Sequence, residues 1–323
     1  MKQTPEVSDR QISRPGKSNA AGLRTVIAND FKLNKSLYLM ILPAIVFYIL
    51  FSYLPMYGAI IAFKDYSAMK GIWGSEWVGL ENFKEFLGGF YFLRIFINTL
   101  LISIYSLIFE FPAPIIFALL LNEIKNNAFK KTVQTVTYFP YFISLVVICG
   151  LIRDFTNSDG IINILFQKMG GDGLAMLQKP EYFRPIYIVS QVWQTIGWSS
   201  IIYLSALTSI DHEQYEAAKI DGAGKLRQLW NITLPGILPT IVIMLILRIG
   251  NLMNVGFEKI ILLYSPATYE TADVISSFVY RKGLLEFSWS FSAAVGLFNS
   301  IINFILLIFA NQFSKKITEN SLW

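Results

Sequence analysis

Cysteine, histidine and charge are all scarce in this chain, and each scarcity removes a class of explanation. Of 323 residues, one is cysteine and one is histidine. Cys149 lies inside an apolar run with no intrachain partner, so no disulfide framework exists and the residue reads as a small buried hydrophobe. His212 stands in a polar stretch with no metal-ligand spacing and no nucleophile beside it. It reads as a solvated loop residue, and neither a catalytic residue nor a metal site is expected. Charged residues make up only 15% of the chain against 54% hydrophobic ones. With a mean hydropathy of +0.49, that balance argues against a water-soluble enzyme and for an all-α, polytopic membrane protein.

A window of about 19 residues finds stretches long enough to cross a hydrocarbon core of about 30 Å. Six are expected, over residues 37–63, 92–121, 133–152, 185–207, 237–263 and 291–313. Residues 1–36 form a polar N-terminal tail, expected to be mostly disordered and to end in an interfacial helix near Phe31. The first apolar stretch is too long for a signal peptide and should remain in the mature protein. Residues 314–323 form a short C-terminal tail.

A pI near 9.1 invites a nucleic-acid reading, but the positions of the charges decide against it. The tail carries Lys2, Arg10, Arg14, Lys17, Arg24, Lys32 and Lys35, and the segment after the second span carries Lys125, Lys130 and Lys131. By the positive-inside rule both termini are cytoplasmic. The outer segments, 64–91, 153–184 and 264–290, hold fewer cations and are richer in acid, including Glu76, Asp159 and Asp273. Trp73, Trp77 and Asp172 are exposed candidates there for contact with a partner.

Between the fourth and fifth spans, residues 208–236 are too long for a plain connector and carry helical signals of their own. Asp211 is placed as an N-cap with acids in the first turn, predicting a short helix over 213–220. Gly222 and Gly224 then permit a sharp reversal. A second amphipathic helix is expected to end before Pro235, leaving Tyr215, Ala218, Leu226, Leu229 and Trp230 available for docking. Gly222-Ala-Gly224-Lys225 is not a phosphate loop, because Lys219 stands where the first glycine is needed and Leu226 where Ser or Thr is needed.

Glu216-Ala217-Ala218, Gly222 after three intervening residues, and I-x-L-P at 232–235 together resemble the EAA loop of binding-protein-dependent ABC importer permeases. The fuller string from Tyr215 to Pro235 is similar to the carbohydrate branch. GLENF at 79–83, ALLLNEI at 118–124, NVGFEKIILLYSP at 254–266 and the stretch from Tyr280 to Ser300 look like its oligosaccharide and polysaccharide permeases. The resemblance implies a type I importer permease fold in the bacterial cytoplasmic membrane. It implies as partners a second, homologous permease, two cytoplasmic ATP-binding subunits that hold ATP and magnesium, and an extracytoplasmic binding protein that delivers a sugar or oligosaccharide. The chain itself would bind no cofactor. Docking on the ATPase would fall to Glu216, Ala217, Ala218, Asp221, Gly222, Ala223 and Pro235. An ion-gradient-driven transporter, or an importer permease for a non-sugar solute, are the alternatives.

Charges at membrane depth cost about 2.5–3.5 kcal/mol each, so those present call for a role. Glu110 stands beside Pro112 and Pro114, which are expected to kink the second span. Arg248, Asn251 and Asn254 recur every three residues and are expected to form one helical stripe. A Glu110–Arg248 ion pair fits both, as does a separate role for each along a substrate path. Sugars are gripped by stacking and side-chain hydrogen bonds, so Gln191, Trp193, Gln194, Trp198 and Asn299 join the candidates for that path; the tryptophans equally fit interfacial anchors.

Overall fold

The computed structural model describes residues 30–318 apart from Lys32, Asp172 and Leu174. Most of the expected N-terminal tail, the last five residues and the candidate Asp172 lie outside the described residues. The described residues up to Gly58 form one compact unit and those from Ala59 onward a second, and the site described below lies in the second.

The fold is helical, as lipid requires of a backbone that must satisfy its own amides. The only strands among the described residues are two-residue pieces, Lys64–Asp65 paired antiparallel with Glu76–Trp77. Among the described residues, four helices are long and apolar enough to cross a membrane: Lys35–Phe63 (α1), Phe92–Glu123 (α2), Lys225–Gly250 (α7) and the helix Trp289–Thr318 (α9). Asn127–Phe142 (α3) and Leu145–Lys168 (α4) would together make a fifth. Pro180–Thr208 (α5) has 29 residues, about 43 Å at 1.5 Å per residue, but Gln191, Gln194 and Thr195 make it less apolar. His212–Ile220 (α6) and Phe257–Leu263 (α8) are short.

Three expectations are corrected. The span over 133–152 is not continuous: α3 and α4 meet at 99°. Pro140 removes a backbone donor, the chain tightens to a 3₁₀ turn over Phe139–Phe142, and Ile143 is extended. The fifth span does not reach residue 263 but ends at Gly250, so Asn251 and Asn254 stand in the turn beyond the helix instead of continuing a stripe from Arg248. The second helix of the 208–236 segment does not stop before Pro235. It runs on as α7 through a π turn over Leu229–Thr233, where the widened ring absorbs the donor that Pro235 lacks. Glu110 sits in a similar π turn, Ser106–Glu110, so Pro112 leaves α2 one helix instead of breaking it.

One apolar core gathers Ile102, Cys149, Phe183, Tyr187 and Ile260, and another Phe86, Ile95, Met253, Phe278 and Val295. Between them the chain from α8 to α9 is stitched down by buried polar contacts. Asp273 is fully buried and receives two hydrogen bonds from Arg281, at 3.2 and 2.7 Å, with Arg94 of α2 3.9 Å away. Burial disfavours the Arg281 charge, but the hydrogen bonds and charge of Asp273 outweigh it and hold Arg281 protonated beyond its ordinary range. Asn98 of α2 donates to the carbonyls of Glu270 and Asp273, and Arg184 of α5 donates to Asn98 Oδ1 at 2.7 Å and to the Thr271 carbonyl.

α5 and α3 touch at Gly197. A Cβ there would lie 2.2 Å from the Thr137 carbonyl oxygen, whereas one at Gly296 of α9 would meet nothing within 4 Å. Gly197→Val is therefore expected to destabilise the fold by about 1–3 kcal/mol through overpacking, seen as a lower melting temperature in detergent, with Gly296→Ala unaffected.

Candidate functional site

Where α2, the α3–α4 bend, α5, the end of α7 and α8 converge, they enclose a cavity of about 510 Å³. Its wall is mixed: polar and charged side chains stand among Ile143, Leu145, Val255 and Phe257. Ser103, Ser106 and Glu110 face it from α2, Gln191, Gln194 and Thr195 from α5, and Arg248, Asn251 and Asn254 from the end of α7 and the turn after it. The early end of α7 creates this lining: beyond Gly250 the backbone leaves the helix, and Ser103 Oγ caps the freed Leu252 carbonyl.

Glu110 and Arg248 do meet, with Arg248 Nη2 2.5 Å from Glu110 Oε2. The two residues come from helices remote in sequence, and the π turn before Pro112 rotates Glu110 to the shared face. The pair also borders a second hollow of about 690 Å³ nearer the α5–α6 junction, walled by Pro114, Trp198, Tyr203 and Met244. Trp198 stacks on Tyr141 at 4.8 Å and 7° between planes, and Phe142 meets it edge-on at 5.4 Å.

Not every candidate arrives. Trp193 points from the opposite face of α5 into an apolar hollow with Ile148, Phe155 and Met176, away from the first cavity. Asn299 stands one layer behind, donating to Asn254 Oδ1 at 2.8 Å, and is 8% exposed. Sequence reasoning missed Lys259, which α8 brings under the cavity floor with its Nζ 2.9 Å from Gln191 Oε1. The signal is the one that marks Arg248, a cation inside an apolar run, but by hydropathy alone the run reads as the outer end of a span.

At the other end of α5 the chain turns into α6. Asp211 Oδ1 accepts from the Glu213 amide at 3.0 Å, an N-cap. Gly222 adopts φ +74°, and the Ala223 amide returns to the Ala218 carbonyl at 2.8 Å, closing α6 with a left-handed cap. Gln228 holds the Ala223 carbonyl, Tyr215 bonds Thr233 at 3.0 Å, and Lys225 pairs with Glu123 of α2. Glu216, Ala217, Asp221, Gly222 and Pro235 are exposed, with Ala218 and Ala223 half-buried. Ile220, Leu226 and Trp230 expose apolar surface beside them. Tyr215 and Leu229, by contrast, are half-buried.

The family described as binding-protein-dependent transport system inner membrane component matches residues 110–319. The chain belongs to this family. Among its relatives, the Bacillus subtilis protein LplB is 40% identical over 324 residues, covering 100% of both chains. The polygalacturonan/rhamnogalacturonan transport system permease protein YteP of the same organism is 45% identical over 290 residues, 90% of each. In a solved bacterial alginate ABC transporter, in complex with its alginate pentasaccharide-bound periplasmic protein, one chain matches with a TM-score of 0.83 and 42% identity. That match covers 91% of this chain and 99% of the other. The permease is thus an inner-membrane component of the carbohydrate branch of ABC importers, with the type I permease fold.

Because Arg248 is 39% exposed in its side chain and Glu110 14%, reversing one charge costs less than breaking a fully buried pair. Arg248→Glu is expected to destabilise the permease by about 1–3 kcal/mol. Combining it with Glu110→Arg should recover most of that in a thermal melt; full additivity of the two losses would show that the side chains act independently.

Proposed function

We propose that the permease carries an oligosaccharide bearing uronic acid residues, along a path completed by a second, homologous permease. An extracytoplasmic binding protein delivers the substrate, and two cytoplasmic ATPase subunits, which hold ATP and magnesium, supply the work. Both termini lie on the cytoplasmic side, as the basic flanks of the spans require. The single observation that carries this is mechanical. α5 and α7, which present Gln191, Gln194 and Arg248 to the cavity, both emerge directly from the exposed 211–224 segment.

A partner ATPase seated on α6 would therefore grip both helices at once. Small side chains at Ala217, Ala218, Gly222 and Ala223 let a partner backbone approach closely, and Glu216 offers a charge to it. The N-cap and the left-handed cap make α6 a stiff peg, so a displacement of the peg passes to α5 and α7 as a rigid-body shift. The substrate class is supported by relatives whose own cargo is acidic, polygalacturonan/rhamnogalacturonan for one and the acidic polysaccharide alginate for another. It is also supported by the side-chain donors around the cavity, and the stacked Trp198 and Tyr141 offer aromatic faces of the kind sugar rings pack on.

Two measurements test this. In proteoliposomes holding the whole importer and its binding protein, an acidic oligosaccharide such as trigalacturonate should be taken up at least ten times faster than a neutral trisaccharide. Equal uptake of both would remove the uronate assignment. Glu216→Lys or Gly222→Asp should leave membrane insertion intact while cutting substrate-stimulated ATP hydrolysis at least tenfold; unchanged stimulation in both variants would remove the docking role of α6.

A further inference from the structure

Lys259 is a charge with no task in that account. Its side chain is buried, with the residue 2% exposed, and a lone ammonium in such a place is costly unless paired. Among the described residues no carboxylate takes it up. Its Nζ donates to Gln191 Oε1 at 2.9 Å and Gln194 Oε1 at 3.4 Å, and it sits 5.6 Å from the centroid of the Tyr187 ring.

An ammonium can only donate, so it settles which way both amides face. With each oxygen held by Lys259, each Nε2 is committed to the other side, and neither has a hydrogen-bond partner among the described residues. Gln191 and Gln194 are one helical step of three apart on the cavity face of α5, so their amide groups lie side by side. Two neighbouring donors backed by a buried positive charge suit a group that only accepts. A carboxylate is such a group, whereas a sugar hydroxyl must both give and accept and gains less from amides that cannot turn.

We propose that Gln191 and Gln194, locked by Lys259, form a subsite for the carboxylate of a uronate residue in transit. Lys259 is a positioning residue: it does not touch the sugar but fixes the amides that do, and its charge lies behind them. Of the two acids on the cavity wall, Glu110 is engaged by Arg248, and Glu258 is exposed to water at the start of α8. The inference rests on the acidic-oligosaccharide reading.

Gln191→Glu is the informative variant. A carboxylate there still accepts from Lys259, so the buried charge stays paired and the fold is kept, but the donor toward the cavity is replaced by an acceptor. Uptake of trigalacturonate by the reconstituted importer should show a KM at least tenfold higher with the maximal rate within about twofold, and the melting temperature should not fall. Lys259→Met, which frees both amides to turn, should shrink the preference for trigalacturonate over a neutral trisaccharide at least tenfold. A wild-type KM in Gln191→Glu, or an unchanged preference in Lys259→Met, would overturn the subsite while leaving the transport assignment standing. If the unaltered importer itself takes up the neutral sugar and not trigalacturonate, the substrate class fails first, and the subsite with it.

Discussion

The buried carboxylate of Asp273 is the constraint from which the cavity end of this permease is built. Fully enclosed, it is held by two hydrogen bonds from Arg281, with Arg94 of α2 close by. Its neighbours Glu270 and Thr271 are tied through their carbonyls to α2 and α5 by Asn98 and Arg184. The stretch between α7 and α9 is thus not a free loop but a lining clamped against two long helices. Its position in turn fixes α8 and the Asn254 turn, and hence much of the cavity wall. A buried ion pair of this kind adds little net stability over an apolar substitute. What it does supply is a defined seat, because both charges are satisfied in only one arrangement.

Proline and the π turn work together elsewhere. In α2 and again in α7 a widened turn immediately precedes a proline, at Pro112 and at Pro235. Each widened turn absorbs a missing donor that would otherwise break a helix in a medium with no water to replace it. Both also rotate what precedes them: Glu110 toward Arg248 in one, and Thr233 toward Tyr215 in the other.

Much of this was legible in the sequence, and the failures share a cause. Long apolar runs announced α1, α2 and α9, and Asp211, Gly222 and the EAA triplet announced α6, because span length, caps and positive φ are local properties. The break at Ile143, the early end of α7 and the burial of Lys259 are tertiary outcomes. Apolar residues continue on both sides of each of the first two, so an apolar window bridges them, and the price of ending α7 at Gly250 is met by Ser103 on another helix. Glu110 and Arg248 could each be flagged by charge, but 138 residues separate them and only the fold makes them a pair. Trp193 failed for a simpler reason: aromatic character marks a residue without saying which face of α5 it occupies.

Gly197 has a kinematic consequence. Its contact with the Thr137 carbonyl is a point of close backbone approach between α5 and α3, and that point divides the helix unequally. Thr208, at the end that turns into α6, lies about 16 Å to one side along the axis, and Gln191 about 9 Å to the other. A stiff rod rocking on such a pivot moves its two ends in opposite senses, the short arm by roughly half as much as the long one. Swinging the peg end one way would carry the glutamine amides the other way, over a smaller distance and with greater force.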